Sequence, residues 1–284
     1  TKIQDQLDAG IRVLLVDAYY GVKRSSGPVL TDLKREQDRT KVNETISEQF
    51  GKGAVKRVQD IQERIADSGE ERGVWLHLDG GYGLPAVAAR PELFIGFERA
   101  NSVSVDAHKW LYLPKACGIL LVREQEALVA SFGHEQGYLP HQRHELHAME
   151  TTFEYSRPFR ALKFWLAMRV HGAAAFAEAI ERNLAQAQLL YRTVSARDDF
   201  EVLAPPKLSI VAFRHAPAGV GDVGAHNHRL AQEIQADGRV WMSSALIDDE
   251  VWLRPCFVNF RTTEGDVLDV VEIAAEIGER LVRG

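Results

Sequence analysis

The chain has 284 residues, of which 45% are hydrophobic and 26% charged, a balance typical of globular proteins that excludes a disordered chain. This length is enough for one large domain or two ordinary ones. The 34 basic and 40 acidic residues give a formal net charge of −6, which argues against nucleic-acid binding by bulk charge.

Membrane insertion and secretion are not expected from the sequence. No apolar run approaches the roughly 18 residues that a membrane-spanning helix needs. Residues 1–10 contain no apolar segment of the kind found in signal peptides. Cys117 and Cys256 both lie in apolar stretches, which predicts two buried free thiols. Because free thiols persist in a reducing compartment, a cytoplasmic location is expected.

The first part of the chain alternates predicted helices and strands. Residues 2–9 are expected to form a short helix, and residues 11–17 (IRVLLVD) a buried strand. Residues 21–52 are polar and fit no single element, although residues 23–28 (KRSSGP) indicate a turn. Apolar residues at helical spacing then predict a helix over residues 55–73.

Three short apolar segments are predicted to be buried strands of a parallel sheet. They are residues 74–79, 102–106 and 117–124. A long loop with some helix is expected over residues 126–152. Two long amphipathic helices are predicted beyond this loop, over residues 157–172 and 173–197.

The pattern changes after residue 198, where shorter strands and helices follow one another. The predicted strands are residues 200–206, 208–215, 241–247 and 251–260, and the predicted helices are residues 226–237 and 263–283. Thr263 stands three residues ahead of Asp266, which is a capping-type helix start. The expected architecture is a partial large α/β domain with a parallel-rich sheet over residues 1–195, and a small α+β domain over residues 196–284.

Two polar residues lie at the ends of neighbouring predicted strands. Asp79 is the last residue of the strand over residues 74–79, and Lys109 follows the strand over residues 102–106. Parallel sheets bind ligands at the carboxyl ends of their strands, so both side chains could reach one crevice. A lysine there can form a Schiff base with an aldehyde, and an aspartate can keep a pyridinium nitrogen protonated. Gly80 and Gly81 carry no Cβ, which would let a flat ring approach the backbone. The spacing alone leaves open a simpler interpretation, with Asp79 capping a turn and Lys109 solvated.

The segments WLHLDGGYGLPA and ANSVSVDAHKWLYLPKACGILLVRE closely resemble the group II pyridoxal-phosphate decarboxylases, which include aromatic amino-acid and glutamate decarboxylases. The resemblance extends through residues 156–172 and, more loosely, through residues 251–267, and it covers about residues 53–281. It implies the carboxy-terminal part of a fold-type-I enzyme. The implied reaction is decarboxylation of an L-amino acid, with pyridoxal 5′-phosphate as cofactor.

The resemblance implies a role for each residue around the HKW sequence. Lys109 resembles the Schiff-base lysine, and Asp79 resembles the partner of the pyridinium nitrogen. Gly81 takes the position of a small residue packed against the ring. His108 resembles a histidine near the cofactor phosphate and is expected, with Lys109, to act in catalysis.

Four further positions receive roles from the same resemblance. Ser104 and Asp106 flank the lysine site and are expected to contribute to cofactor binding. Trp110 is expected to pack beneath the lysine loop as a core residue. Arg254 matches an arginine that meets the substrate carboxylate, although a structural ion pair is an equally good interpretation of an arginine at this position.

The predicted loop carries an HxxHxxH run formed by His141, His144 and His147. This spacing is not the HExxH signature, and no metal is expected. The resemblance implies a mobile lid over the active site. The resemblance also implies a loop tyrosine, usual in family decarboxylases, that protonates the carbanion after carbon dioxide leaves. Neither Tyr138 nor Tyr155 matches its position, which leaves aldehyde-forming or other lyase chemistry as an alternative.

Two parts of the family's cofactor pocket have no recognisable counterpart in this sequence. They are a phosphate cup at a helix start and a histidine that stacks on the pyridine ring. Three explanations are open: a fragment of a longer enzyme, a non-catalytic or truncated homologue that acts as a scaffold or partner subunit, or a site completed by another chain. The resemblance also implies a homodimer with its sites at the subunit interface.

Overall fold

The structure is a computed structural model that describes residues 75–133, 148–154 and 156–283, together with the backbone of two short strands. These strands are β1 (Gly21–Val22) and β2 (Leu30–Thr31), which pair antiparallel. The chain divides into two compact units, Thr1–Val170 and His171–Gly284, and each is described by itself.

Several sequence predictions lie outside the described residues. They are the helices over residues 2–9 and 55–73, the strand over residues 11–17, the turn at residues 23–28, the histidine run at residues 141–147, and the two tyrosines Tyr138 and Tyr155. Within the described ranges, every helix is too short or too polar to cross a lipid bilayer.

The first unit contains a three-stranded sheet in the order β3-β4-β5. Its strands are β3 (His77–Asp79), β4 (Ser102–Asp106) and β5 (Gly118–Val122). β3 and β4 are parallel, and three short 3-10 helices lie between them: Leu84–Ala88, Pro91–Phe94 and Phe97–Arg99. This arrangement confirms the predicted parallel pairing of these two strands, and a single crossover joins them.

The prediction of a third parallel strand over residues 117–124 was wrong, because β5 runs antiparallel to β4. The reason is the length of the connection. A parallel pair needs a crossover of about a dozen residues or more, usually containing a helix. Residues 107–117 instead form a short connection that contains no helix. Within this connection Leu113 N–H donates to the carbonyl of Ala107, and β5 then runs back along β4.

The two faces of β4 have opposite chemistry, because successive side chains of a strand point to opposite sides. Val103 packs with Leu78 of β3 around a small apolar cluster, and Val105 is buried. The hydroxyl and carboxylate residues of β4 alternate with these valines and so share the other face. They are Ser102, Ser104 and Asp106.

The region predicted as a loop with some helix contains α1 (Gln125–Phe132) and a 3-10 helix, Ala148–Thr151. A longer helical segment, α2 (Ala161–Ser195), follows. Gly172 interrupts it with φ 75° and ψ 160°, a conformation that is essentially restricted to glycine. The interruption confirms the prediction of two consecutive helices.

The second unit includes the part of α2 that follows Gly172. Its apolar residues Ala187, Leu190 and Val194 are fully buried in the core of this unit. The two units divide between Val170 and His171, before the part of α2 that follows Gly172. The sequence analysis set the domain boundary after this part of α2, at residues 195 and 196.

An antiparallel four-stranded sheet with the order β6-β7-β9-β8 forms the rest of the second unit with two helices. The strands are β6 (Phe200–Val202), β7 (Phe213–His215), β8 (Ser243–Ile247) and β9 (Glu250–Arg254), and the helices are α3 (Val223–Asp237) and α4 (Glu264–Arg283). These elements confirm the predicted strands and helices, with shorter strands than expected.

The helix starts of the second unit are capped by side chains. Asp222 accepts a hydrogen bond from Ala225 N at the start of α3. At the start of α4, Asp266 N donates to Thr263 Oγ1 and Thr263 N donates to Asp266 Oδ2. This reciprocal pair confirms the predicted capping-type start.

The two cysteines differ in burial. Cys117 is buried and carries a free thiol, as predicted. Its burial raises the pKa of the thiol, since an ionised sulfur would lose its hydration there. Cys256 is only half-buried, unlike the prediction. It lies beyond the end of β9, where its backbone forms an isolated β-bridge with Ile210.

Candidate functional site

Asp79 occupies the carboxyl end of β3, with its side chain exposed. Its Oδ1 accepts hydrogen bonds from Gly81 N, at 2.9 Å, and from Ser104 Oγ, at 3.2 Å. The bond from Gly81 lowers the pKa of Asp79 most, against the opposing effect of burial, and the Ser104 hydroxyl lowers it further. Nearby His77 and Lys109 act in the same direction. Asp79 is therefore an ionised carboxylate at neutral pH.

Lys109 lies in the turn that leaves β4, with its side chain exposed. Its Nζ is 2.7 Å from Asp106 Oδ2, and its backbone N–H donates to the carbonyl of Asp106 at 2.9 Å. The backbone bond closes the turn that brings the amine back beside the end of the strand. The ammonium and the carboxylate thus form a partly exposed ion pair next to Asp79.

Gly81 lies between the two carboxylates. A Cβ at this position would lie 3.0 Å from Asp79 Oδ1 and 3.3 Å from Asp106 Oδ2. Because glycine has no Cβ, the backbone at this position can lie close to both oxygens. Gly80 serves packing instead, since a Cβ there would lie 2.6 Å from Leu84 Cβ.

His108 is half-buried and joins the lysine turn to the start of β5. Its Nδ1 lies 3.0 Å from the carbonyl oxygen of Cys117 and 3.3 Å from the Cys117 nitrogen, and its backbone N–H donates to the same carbonyl. Trp110 is fully buried and stacks on Tyr82, with ring centroids 5.2 Å apart. These contacts hold the backbone on both sides of Lys109, and they give Trp110 the expected core position.

The structure brings most of the predicted residues into one cluster at the ends of β3 and β4. They are Asp79, Gly81, Ser104, Asp106 and Lys109. His108 precedes Lys109 in the chain, but its side chain contacts Cys117. Arg254 lies in the second unit, at the end of β9, where its Nη2 donates to Ser243 Oγ at 3.0 Å. Its role in substrate binding stays a prediction. Among the described residues, no group of histidine, cysteine, aspartate and glutamate side chains could hold a metal ion.

The sequence analysis expected Ser104 and Asp106 to contribute to cofactor binding, but it did not predict two relationships at this site. They are the ion pair of Lys109 with Asp106 and the hydrogen bond of Ser104 to Asp79. The spacing of an acid three residues before a lysine, in a segment too short for a crossover, was a usable signal for the first. The alternation of small polar residues and valines in SVSVD was a signal for the second.

Comparison with known proteins shows the family to which the chain is similar. Residues 35–216 match the profile of the pyridoxal-dependent decarboxylase conserved domain. An aromatic-L-amino-acid decarboxylase of Bacillus atrophaeus is 34% identical over 221 residues, which cover 75% of this chain and 46% of that protein. A phenylacetaldehyde synthase of a Rosa hybrid cultivar is 31% identical over 223 residues, which cover 72% of this chain and 43% of that protein.

The fold agrees with these sequence matches. An Oryza sativa TDC, solved with PLP and tryptamine, superposes with a TM-score of 0.71 at 26% identity, over 76% of this chain and 47% of that one. This similarity confirms the expected fold-type-I architecture. The chain spans about half the length of the relatives that it matches. Since the profile covers most of its residues, the chain belongs to the pyridoxal-dependent decarboxylase family.

Proposed function

We propose that this chain forms the lysine-bearing part of the active site of a pyridoxal 5′-phosphate-dependent L-amino-acid decarboxylase. The observation that carries the proposal is the arrangement of an ionised, exposed Asp79 and an exposed Lys109 amine on either side of Gly81. Pyridoxal 5′-phosphate is the cofactor of the family to which the chain belongs.

The described residues fit the cofactor's ring and its aldehyde. A pyridinium nitrogen needs an anion, and Asp79 is kept ionised by two hydrogen bonds to one of its oxygens. The aldehyde needs a primary amine, and Lys109 is the lysine of this cluster. A flat ring needs a surface without a Cβ, which Gly81 supplies. His108 is the described residue that we propose for the neighbourhood of the phosphate.

When bound, the cofactor supplies an electron sink for the charge that remains on the α-carbon after carbon dioxide leaves. Lys109 would hold the cofactor by condensation of its amine with the aldehyde carbon, with release of water, until the substrate amine displaces it. Asp79 would hold a proton on the ring nitrogen. The displaced Lys109 amine would carry the proton that returns to the α-carbon, and Asp106 would stabilise its ammonium form.

Three further parts of the proposal rest on the sequence. The family resemblance is the basis for Arg254, a half-buried residue that is proposed to bind the substrate carboxylate, and for a homodimer. A cytoplasmic location is proposed from the free thiols. Each can be tested separately from the role of Lys109.

The experiment that tests the proposal is reductive trapping of the cofactor on the chain. Incubation with pyridoxal 5′-phosphate, reduction with borohydride and peptide mass analysis should find the adduct on Lys109, together with a visible absorbance band before reduction. Lys109→Ala should lose both signals, whereas Lys115→Ala, which removes an exposed lysine of the same turn, should keep them. An unchanged adduct in Lys109→Ala would exclude Lys109. No binding at saturating cofactor would favour a non-catalytic homologue that acts as a scaffold or partner subunit.

An aldehyde-forming reaction is the second candidate, and the similarity to a phenylacetaldehyde synthase favours it. The two reactions differ in their products and in their use of oxygen. Simple decarboxylation of an aromatic amino acid releases an amine and carbon dioxide without consuming oxygen. Oxidative formation of an aldehyde consumes oxygen and water and releases carbon dioxide, ammonia and hydrogen peroxide, so product analysis with an oxygen electrode distinguishes the two.

A further inference from the structure

We infer that Ser104 is a positioning residue that acts through Asp79, by fixing which carboxylate oxygen is presented to the ring nitrogen of the cofactor. The inference rests on the proposed function for the identity of the ligand. The hydrogen bonds that carry it belong to the chain alone.

The geometry begins with the pairing of β3 and β4. Asp79 lies opposite Ser104 in this parallel pair, and the N–H of Gly80 donates to the Ser104 carbonyl at 3.0 Å. The Ser104 side chain is therefore held beside Asp79 by the backbone of both strands. Its Oγ donates to Asp79 Oδ1 at 3.2 Å.

Both donors converge on the same oxygen. Gly81 N–H also bonds to Asp79 Oδ1, at 2.9 Å, whereas Oδ2 accepts no hydrogen bond from any residue that the structure describes. The rotation of an aspartate carboxyl about its last bond is broad, so a single donor fixes it poorly. Two donors that approach one oxygen from β4 and from the turn after β3 fix the plane of the carboxylate and leave Oδ2 for a cation.

A second serine of β4 also contacts a side chain of β3 on the same face of the sheet. His77 lies opposite Ser102, and their Nδ1 and Oγ atoms are 2.7 Å apart. Trp75 Nε1 donates to the same Ser102 hydroxyl at 2.8 Å, and Ser102 is buried. The hydroxyl of Ser102 is thus bound within the fold, whereas that of Ser104 faces the exposed carboxylate that the proposed reaction uses.

Two hydrogen bonds to the ionised form also favour that form over the protonated one. The lowered pKa of Asp79 has this cause, with Gly81 as the larger contributor and Ser104 as the side chain that adds to it. Removing the Ser104 hydroxyl should therefore loosen the carboxylate and make it easier to protonate.

The first experiment needs no cofactor. The chain with ¹³C-labelled aspartate is titrated by NMR, and the Asp79 signal is assigned from Asp79→Asn. In Ser104→Ala the Asp79 carboxyl should titrate at higher pH than in the parent chain, whereas Ser104→Thr, which keeps a hydroxyl, should titrate like the parent. An Asp79 titration that does not change in Ser104→Ala would overturn the inference.

The second experiment measures cofactor affinity with two ligands. Ser104→Ala should bind pyridoxal 5′-phosphate about fivefold more weakly, the effect expected for the loss of one hydrogen bond. It should bind the analogue whose ring nitrogen is replaced by C–H as tightly as the parent does. In an Asp79→Asn background, Ser104→Ala should cause no further loss. Equal losses for both ligands would mean a merely structural role and would overturn the inference. If the parent chain binds neither ligand, the proposed function fails, and the carboxyl titration still decides the role of Ser104.

Discussion

Asp106 Oδ2 lies 2.7 Å from Lys109 Nζ, within a turn closed by a backbone hydrogen bond between the same two residues. The amine proposed to react with an aldehyde is therefore held against a carboxylate in this state of the chain. A reaction at Lys109 must break the pair, so the carboxylate slows the first attack on an electrophile.

Replacement of Asp106 by Asn should accelerate modification of Lys109 by an amine-directed reagent. The pair is partly exposed, so we expect an increase of about two- to fivefold, in line with ion pairs of this kind. Peptide mass analysis over a time course measures the rate at Lys109. Lys115 in the same digest is the internal control and should react at its parental rate. A rate at Lys109 equal to that of the parent would mean that the pair does not persist in solution.

The two adjacent glycines after β3 should respond differently to alanine. Gly81→Ala introduces a Cβ against two carboxylate oxygens, so it should abolish cofactor binding while it leaves the urea midpoint almost unchanged. Gly80→Ala introduces a Cβ against Leu84 Cβ and the Ser104 carbonyl oxygen, which cannot move as freely. It should destabilise the fold by about 1–3 kcal/mol, as overpacking does. Equal effects of the two variants on the urea midpoint would contradict this distinction.

A contact between the buried His215 and the half-buried His226 joins β7 to α3 in the second unit. His215 is fully buried, and its Nδ1 lies 2.9 Å from His226 Nε2. Its Nε2 lies 3.6 Å from Asp199 Oδ2 and has no hydrogen-bond partner within the described part of the chain. A Cβ at Gly278 of α4 would lie 2.4 Å from His215 Nδ1, so the ring fills the space against that helix.

This pair should make the stability of the chain depend on pH. Burial, followed by the charge of neighbouring His226, lowers the pKa of His215, and burial lowers the pKa of His226. The unfolded chain then binds more protons than the folded chain between the lowered values and about 6.5. The stabilisation is complete above about pH 6.5 and is lost as the pH falls through 6.5 towards the folded values.

Urea unfolding at pH 7.5 and pH 5.5 measures this effect. The free energy of unfolding should be lower at pH 5.5, and His226→Gln should reduce the difference between the two values. His228→Gln replaces an exposed histidine of the same helix and is the control, since it should leave the difference unchanged. A parental difference that survives in His226→Gln would assign the pH dependence to other groups.

The capping pair at the start of α4 should contribute measurably to stability. Thr263→Ala removes the hydroxyl that accepts from Asp266 N, and we expect a loss of about 1 kcal/mol in the free energy of unfolding. Thr263→Ser keeps the hydroxyl and should retain most of the stability. If both variants lose stability equally, the methyl group of Thr263 rather than its hydroxyl is responsible.

The sequence could predict the local elements because their signals are local. Helical periodicity and the pair of Thr263 and Asp266 placed α4 correctly, and the short apolar runs placed the strands. The direction of β5 was not a local property. It depends on the connection after Asp106, which is short and contains no helix, as an antiparallel return allows.

The site was predictable to the extent that residue types and their order define chemistry. Asp79 and Lys109 were named from their places after two strands, and the structure brings both to one cluster. Which atom contacts which was not predictable, because it depends on strand register and side-chain rotation. The pairing of Asp79 with Ser104 is such a case, since a shift of either strand would have paired Asp79 differently.

The alternation along β4 couples the candidate site to folding in this protein. Loss or gain of one residue within Ser102–Asp106 would exchange the faces of the residues on one side of the change, so that valine side chains and polar side chains would trade places there. A variant with such an insertion or deletion would therefore lose stability as well as the geometry of the candidate site. Natural homologues should therefore vary in length on either side of this pentapeptide but never inside it.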